Sequence, residues 1–444
     1  MEGIDPRAWR LLFIFVATII GIVVRPLPMS AVAMVGVAAL LVTRTLTLTE
    51  ALSGFSNATV WLVLAAFFIA LGFRKTGLGA RIAYGLIALC GRSTLGLGYS
   101  LVASDLVLAP AIASNTARAG GVINPILQSI CQTALARDPV TGRHTSAFLT
   151  LTAYQGTVVT SAMFLTAMVA NPLVAQLAAD QGITLTWTLW AIAASVPGLL
   201  SLVITPLVVY RVCPPGVTTT PEAPAMARTA LAALGPMSRG ERIMSVVTAC
   251  MLVAWIFGAR FGVDATSAAL IAFAALLLTG VLNWDDVLHE REAWNTFVWF
   301  AVLVMMAGFL SQLGLITAFS RQVTSAISDS TNWIPGFLGL SLAYFYAHYF
   351  FASNTAHVGA MFTPFLAVAL ALGTPPMLAV LVLAFFSNLF ACLTHYGTAP
   401  GPVLFSSGHV PITTWWKAGA ILSVVHITIW LVVGGWWWRV LGHW

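Results

Sequence analysis

The pentapeptide Ala-Ser-Asn-Thr-Ala occurs at residues 113–117 and again at residues 352–356, 239 positions later. Each copy is followed at once by a residue that can carry positive charge, Arg118 in the first and His357 in the second. Hydroxyl and amide side chains of this kind cap the N-termini of helices. A helix N-terminus exposes free N–H groups and carries partial positive charge, so it attracts carboxylates. The pattern therefore indicates binding of an anion.

The elements that position these residues must lie in a membrane. The chain has 444 residues, of which 59% are hydrophobic and 8% are charged, and its mean hydropathy is +0.93. A soluble domain carries roughly a quarter charged residues. The many apolar runs show no alternation of period two, which excludes a membrane barrel. We expect an all-α polytopic membrane protein with about 11 transmembrane helices plus two re-entrant hairpins.

An internal duplication accompanies the two motifs. Trp61 matches Trp299, and the polar stretch at 152–162 matches the one at 390–400, all at an offset of about 238 positions. Three matched landmarks at one offset are a specific sign of a repeated unit. If each half contains an odd number of spans, one copy is inverted relative to the other, as in many transporters with a site at the membrane midplane.

The duplication predicts two halves joined by a linker. We expect a first half at 1–210, a cytoplasmic linker rich in Pro, Thr and Ala at 211–242, and a second half at 243–444. The arginines of the linker favour the cytoplasmic side. The hairpin tips are expected at 114–116 in the first half and at 353–355 in the second.

Each Ser-Asn-Thr motif is interpreted as the tip of a re-entrant hairpin. These side chains favour caps and turns over helix interiors, and Pro110 precedes Ser114 by four residues while Gly120 follows it. The backbone carbonyls that such a turn frees suit a cation such as Na⁺. The alternative is that the motifs only hold helices together, as small polar residues often do in membranes. Two copies at matched positions favour the hairpin tips.

The sequence around both motifs resembles the divalent anion/sodium symporter (DASS) family, whose members carry di- and tricarboxylates. Three segments are similar to its exchanger branch: SNTARAGGVINPI, HYFFASNTAHVGAMFTPFLAVALALG and NLFACLTHYGTAPGPVLFSSG. That branch includes bacterial citrate/succinate and tartrate/succinate antiporters and the plastid 2-oxoglutarate/malate translocators. The resemblance implies a homodimer in the lipid bilayer, in which a transport domain moves against a scaffold domain as an elevator.

The resemblance also implies which residues contact the substrate. Both motifs would take part, and broken segments near the two polar stretches would complete the site. The residues so implied are Ser114, Asn115, Thr116, Ser353, Asn354, Thr355, Gly156, Thr157, Thr394 and His395. No metal site and no cofactor are expected, and Na⁺ would enter only in a symporter.

Arg118 and His357 are the remaining expected site residues. An Arg at membrane depth costs at least about 2.5 kcal/mol, so it needs a partner. The candidates are a substrate carboxylate and Asp105, nine positions before Ser114. His357 is either a buried core residue or a second cation of the site. Charged together, the two would neutralise a dicarboxylate, and an empty site would then carry unpaired charge across an apolar barrier, which is strongly opposed.

This charge argument favours an obligate exchanger that needs no sodium. The expected substrates are succinate, malate, 2-oxoglutarate, tartrate or citrate, with another carboxylate as counter-substrate. The alternative is a sodium- or proton-coupled dicarboxylate symporter on the same fold. The N-terminal sequence shows no Arg- and Ser-rich transit segment, which favours a multi-pass protein of the bacterial inner (plasma) membrane.

Other classes of function lack their motifs. The sequence contains no GxSxG, HExxH or P-loop, and His289-Glu290-Arg291-Glu292 lacks the second histidine of a zinc protease. Enzymatic activity and nucleic-acid binding are therefore not expected. Tryptophans near the C-terminus, among them Trp430 and Trp438, are interpreted as anchors at the membrane interface.

Overall fold

The chain folds almost entirely into helices. The computed structural model describes residues 5–315, 318–319, 321–322 and 332–444. Over these residues, extended backbone pairs only in an isolated bridge between Ser93 and Thr219. Eight helical stretches of the described residues are long and apolar enough to cross a membrane, and three of these join neighbouring elements through 3-10 or π-turns. Four shorter helices are also apolar. The expected all-α membrane fold is confirmed, and the full number of spans stays a prediction.

The first half contains eleven described helices. Its helices are α1 (Pro6–Val24), α2 (Met29–Val42), α3 (Leu48–Leu52), α4 (Ala58–Thr76), α5 (Leu78–Cys90), α6 (Thr94–Leu108), α7 (Asn115–Arg118), α8 (Asn124–Arg137), α9 (Pro139–Met163), α10 (Ala170–Ala179) and α11 (Trp187–Val212). A turn of 3-10 helix at Ser53–Ser56 follows α3, and a turn of π-helix at Ala119–Ile123 joins α7 to α8.

The second half follows α12 (Glu222–Leu234). Its described helices are α13 (Arg239–Phe257), α14 (Ala265–Leu278), α15 (Trp284–His289), α16 (Arg291–Gln312), α17 (Trp333–Tyr346), α18 (Asn354–His357), α19 (Thr363–Ala371), α20 (Pro376–Leu389), α21 (Pro400–Phe405), α22 (Ile412–Thr428) and α23 (Gly435–Val440). Turns of 3-10 helix lie at Gly258–Phe261, Ala347–Phe350 and Phe390–Leu393, and π-turns lie at Val358–Phe362 and Ile429–Gly434.

The order of elements in the first half recurs in the second. The short helices α3 and α15 occupy the same place in each half, and each opens with a capping box, Thr47 with Glu50 and Asn283 with Asp286. In a capping box two residues satisfy each other's backbone N–H groups. Both Ser-Asn-Thr motifs lead within one turn into a π-turn. The repeat is therefore visible in the fold, while the domain boundaries and the inverted orientation stay predictions.

The segment expected to be a linker is folded against the first half. α12 packs along α5, and the backbone N–H of Thr94 donates to Thr218 O at 3.1 Å. Arg81 on α5 forms an ion pair with Glu241 at the start of α13. The Pro- and Thr-rich composition therefore does not make this segment an unstructured connection.

The long helix α9 is buried over most of its length. Every residue from 145 to 163 is buried, and α9 packs against α6, α8, α11 and α20. Its many Gly, Ala, Ser and Thr residues let helix backbones approach closely within a membrane. At Gly156, for example, a Cβ would lie 2.6 Å from Val102 Cγ2.

Two of the C-terminal tryptophans belong to the core. The indole N–H of Trp430 donates to Ser201 Oγ at 3.0 Å, and that of Trp438 donates to Ala193 O at 2.9 Å. Both side chains are fully buried. Their expected role as interface anchors is therefore wrong, because each indole finds its hydrogen-bond acceptor on α11 and not in the headgroup region.

Gly419 in α22 lies against the 3-10 turn at Phe390–Leu393. A Cβ at this position would lie 2.5 Å from Cys392 O and 2.6 Å from Leu393 O. We expect Gly419→Ala to lower the unfolding temperature of the detergent-solubilised protein, because overpacking costs about 1–3 kcal/mol. Gly308→Ala is the control, since a Cβ there meets no described atom within 4 Å. An unchanged unfolding temperature for Gly419→Ala would contradict this contact.

Candidate functional site

Both Ser-Asn-Thr motifs cap the helix that follows them. Ser114 has extended backbone, and its Oγ accepts a hydrogen bond from Ala117 N at 3.1 Å. Ser353 does the same in the second half, where its Oγ accepts from Ala356 N at 3.4 Å. Each serine therefore turns the chain from a non-helical segment into a helix whose first N–H groups point towards the tip.

The two tips meet at one cavity of about 620 Å³. All six motif residues line it: Ser114, Asn115, Thr116, Ser353, Asn354 and Thr355. The rest of the wall comes from the loop after α1, from the first turns of α16 and from two broken segments. Residues that lie 239 positions apart in sequence thus face the same space, as the duplication predicts for two opposed hairpins.

The two broken segments, at residues 164–169 and 394–399, have the same backbone course. Phe164 and Thr394 open them in extended conformation, each with φ of −133°. Val169 and Ala399 close them with φ of −59° and −55°, at the N-caps of α10 and α21. The fifth residues of the two segments, Met168 and Thr398, line the cavity together with Val169 and Ala399.

Only one of the two breaks lies where the sequence placed it. The break expected near Gly156 and Thr157 comes later, at 164–169, because α9 runs unbroken to Met163. Gly156 and Thr157 are buried in α9 and do not line the cavity. In the second half the break begins at Thr394 as expected, but Tyr396 and Thr398 reach the cavity in place of Thr394.

The polar side chains of α9 bind backbone carbonyls of the other half. Tyr154 Oη donates to Ala391 O at 2.7 Å and to Thr394 O at 3.0 Å. Gln155 Nε2 donates to Cys392 O at 3.1 Å. These carbonyls lose their helical hydrogen bonds where the helix breaks after α20. A membrane core contains no water that could donate to them instead. The polar residues of this stretch therefore mark a contact with a break and not a break itself.

His395 lies outside the cavity. Its Nδ1 accepts a hydrogen bond from Trp416 Nε1 at 3.2 Å, and its ring lies 4.4 Å from that of Phe405. The expected contact of His395 with a substrate therefore does not follow from its position in this structure.

Asn115 links the first tip to the break of the second half. Its Nδ2 donates to Thr398 Oγ1 at 3.1 Å and lies 3.3 Å from Met168 Sδ. Asn354 in the second tip instead donates to Ser387 O at 2.9 Å. The two halves thus meet directly at the cavity wall, and Thr398 is a site residue that sequence reasoning missed, although it lies in the polar stretch THYGTAP.

Arg118 is fully buried and does not line the cavity. Its Nε donates to Asp105 Oδ1 at 3.2 Å and its Nη2 donates to Ser161 Oγ at 3.1 Å. Its Nη1 donates to Ile112 O at 2.8 Å and also to Ala167 O. Of the two partners considered from the sequence, the structure contains Asp105. Arg118 therefore connects the segment that precedes the first tip, through Ile112 O, to the first break, through Ala167 O.

His357 is also fully buried and away from the cavity. Its Nδ1 lies 3.1 Å from His348 Nδ1, and its ring stacks on Phe390 at 4.4 Å. The rings of Tyr344 and Phe351 also contact it. These neighbours are uncharged, so a protonated His357 would be an unpaired buried cation, which is strongly unfavourable.

The two residues that follow the motifs support equivalent carbonyl groups. Arg118 donates to the carbonyl of Ala167, the fourth residue of the first break. His348, which is bonded to His357, lies with its Nε2 2.8 Å from the carbonyl of Gly397, the fourth residue of the second break. Arg118 therefore supports the first break directly, and His357 supports the second through His348. Arg118 does not supply the unpaired cation assumed in the charge argument, since it is paired with Asp105.

Replacing Arg118 by Lys keeps the charge and removes the planar fork. A single ammonium group cannot bond Asp105, Ser161 and two carbonyls that lie in different directions. We expect Arg118→Lys to lower the unfolding temperature, because each buried acceptor left unpaired costs about 1–3 kcal/mol. Circular dichroism melts in detergent measure this, with Arg92→Lys as the surface control. Wild-type stability of Arg118→Lys would show that the fork is dispensable.

The sequence matches known proteins along its whole length. Residues 1–444 match the family described as "Sodium:sulfate symporter transmembrane region". "Putative malate transporter YflS" of Bacillus subtilis is 54% identical over 446 residues, covering 100% of this chain and 93% of the relative. "Dicarboxylate transporter 1, chloroplastic" of Spinacia oleracea is 49% identical over 446 residues, covering 100% of this chain and 78% of the relative.

The fold matches that of a solved transporter. The crystal structure of the YdaH transporter of Alcanivorax borkumensis superposes with a TM-score of 0.59 at 14% identity, covering 98% of this chain and 99% of that chain. At this identity the likeness concerns the fold alone. The family and the relatives are transporters, which confirms that the chain is not an enzyme. It is a multi-pass membrane transporter, and it belongs to the divalent anion/sodium symporter family, whose transmembrane region spans the whole chain.

Proposed function

We propose that the chain exchanges di- or tricarboxylates across a membrane by elevator-type antiport, without bound sodium. The observation that carries the proposal is that both Ser-Asn-Thr motifs line one cavity. Each motif begins a helix with its serine as the N-cap. Each therefore offers hydroxyl and N–H groups to one anionic end of a substrate. Two relatives named for malate and dicarboxylate transport support the carboxylate class.

The proposed substrates are succinate, malate, 2-oxoglutarate, tartrate and citrate. A volume of about 620 Å³ lies within the range of about 300–1,000 Å³ that is typical of small-molecule sites. All five acids carry at least two carboxylates, which is the feature that two opposed tips would recognise. A second acid of this class serves as the counter-substrate.

Sodium independence is supported by the groups that already bind the freed carbonyls. A cation at the breaks would need backbone oxygens as ligands. The guanidinium of Arg118 donates to Ile112 O and Ala167 O, and His348 bonds Gly397 O. These side chains satisfy oxygens that a bound Na⁺ would otherwise use.

Obligate exchange needs a different physical reason from unpaired charge on Arg118 and His357. The serine and threonine residues of both tips line the cavity, and a bound carboxylate would accept hydrogen bonds from their hydroxyl groups. When the empty site moves past apolar helices, these groups lose their hydrogen bonds to water. This desolvation costs about 1–3 kcal/mol for each group left unpaired. A loaded site would therefore cross more readily than an empty one. The alternative is a sodium- or proton-coupled symporter on the same fold.

We place the protein in the inner (plasma) membrane of a bacterium, as a homodimer. The Bacillus subtilis relative supports the bacterial setting. The homodimer and the elevator motion rest on the resemblance to the family.

Counterflow in proteoliposomes tests the proposal. Vesicles with purified protein would be loaded with succinate or left empty, and labelled succinate would be added in sodium or in potassium buffer. We expect uptake only into loaded vesicles, at equal rates in both buffers. Uptake into empty vesicles that requires sodium would support the symporter instead. The other four acids are tried in parallel, each both as the labelled external acid and as the internal acid, and failure of all five would reject the carboxylate class.

Serine variants test whether the two tips take part in this transport. Ser114→Ala and Ser353→Ala each remove an N-cap hydroxyl, and we expect both to slow exchange about tenfold or more, in line with the 0.5–2 kcal/mol worth of a cap and the loss of a substrate donor. Ser195→Ala is the matched control, because Ser195 Oγ donates to Ile192 O in its own helix. Equal rates in all three variants would place the site elsewhere.

A further inference from the structure

Arg25 lines the same cavity as the two motifs but comes from a different part of the fold. It lies in the loop between α1 and α2, at the C-cap of α1. Among the cavity residues that the structure describes, Arg25 and Glu292 are the two that carry charge. Arg118 is buried outside the cavity, so the guanidinium of Arg25 is the positive group that a bound anion would meet.

The backbone at Arg25 is left-handed, with φ of 55° and ψ of 49°. Of the described non-glycine residues, only Arg25 and Arg44 have positive φ. This conformation costs roughly 1–2 kcal/mol for a residue with a Cβ, and glycine is the usual choice there. Pro26 and Pro28 follow at once and restrict the loop further. A stiff loop thus carries an arginine at a position where local energetics favour glycine.

The guanidinium of Arg25 is free to bind a ligand. Across residues 5–315 and 332–444, no group accepts a hydrogen bond from it and no carboxylate oxygen lies within 4.0 Å of it. A guanidinium stays charged at every physiological pH and presents a planar fork that matches a carboxylate. By contrast, the N–H groups of Arg118 donate hydrogen bonds to acceptors within the protein.

We propose that Arg25 is a substrate-contacting residue that binds one carboxylate of the anion held between the two tips. The inference rests on the proposed function and names a residue outside both motifs. Glu292 also lines the cavity and repels carboxylates, so Arg25 is the charged lining residue that attracts them. The contribution of Arg25 to binding is electrostatic.

Titration of purified protein with succinate tests this role. The variants are Arg25→Gly, which removes the charge and introduces a residue that favours left-handed backbone, and Arg25→Lys, which keeps the charge. Arg44→Gly is the matched control. It makes the same chemical change at the other residue with positive φ (53°), which lies beyond the far end of α2 and outside the cavity. Unfolding temperatures without succinate verify that each variant is folded, and Arg25→Gln replaces Arg25→Gly if the latter is not.

We expect Arg25→Gly to raise the Kd for succinate about tenfold at low salt, as for loss of one charge-assisted pair. The difference should shrink in 1 M KCl, where the Debye length is about 3 Å. Arg25→Lys should recover part of the affinity and Arg44→Gly should bind as wild type does. Equal Kd values for wild type and Arg25→Gly, or an equal loss in Arg44→Gly, would overturn the inference. If wild-type protein binds neither succinate nor the other four acids, the proposed function itself fails.

Discussion

A helix that breaks inside a membrane leaves carbonyl oxygens without partners, and lipid supplies none. This constraint governs the arrangement around the cavity. Arg118 donates to Ala167 O in the first break, and His348 bonds Gly397 O in the second. Tyr154 and Gln155 of α9 donate hydrogen bonds to carbonyls just before the second break and at its first residue. Because buried side chains bind these oxygens, the motif residues are not needed for that purpose, and all six line the cavity.

Side chains of the first half bind groups in the second half, so hydrogen bonds join the two halves at the cavity. Tyr154 belongs to the first half and holds Thr394 O of the second, while Asn115 of the first tip donates to Thr398 of the second break. The cavity wall is therefore a joint product of both repeats. Arg118 differs from Arg25 in that its charge is compensated by Asp105 inside the protein, whereas the cavity contains the free guanidinium of Arg25.

The hairpin tips could be predicted because Ser-Asn-Thr in an apolar chain has few structural uses and because it occurs twice. The position of the first break could not, since the polar residues of α9 look like a break in sequence but serve as donors to the other half. The sequence left two partners open for Arg118, a substrate carboxylate and Asp105, because it does not show which groups lie near each other in the fold. Trp430 and Trp438 were misassigned because interface and core tryptophans have the same composition signal, and Arg25 was missed because its left-handed backbone is invisible in sequence.

The central claim is that both tips hold one and the same anion. Calorimetric titration of succinate into wild-type protein, Ser114→Ala and Ser353→Ala tests it most directly. We predict one succinate per chain in the wild type and weaker binding in each variant, because each removes a contact to a different end of the same molecule. Two succinates per chain, or wild-type affinity in either variant, would contradict a shared site.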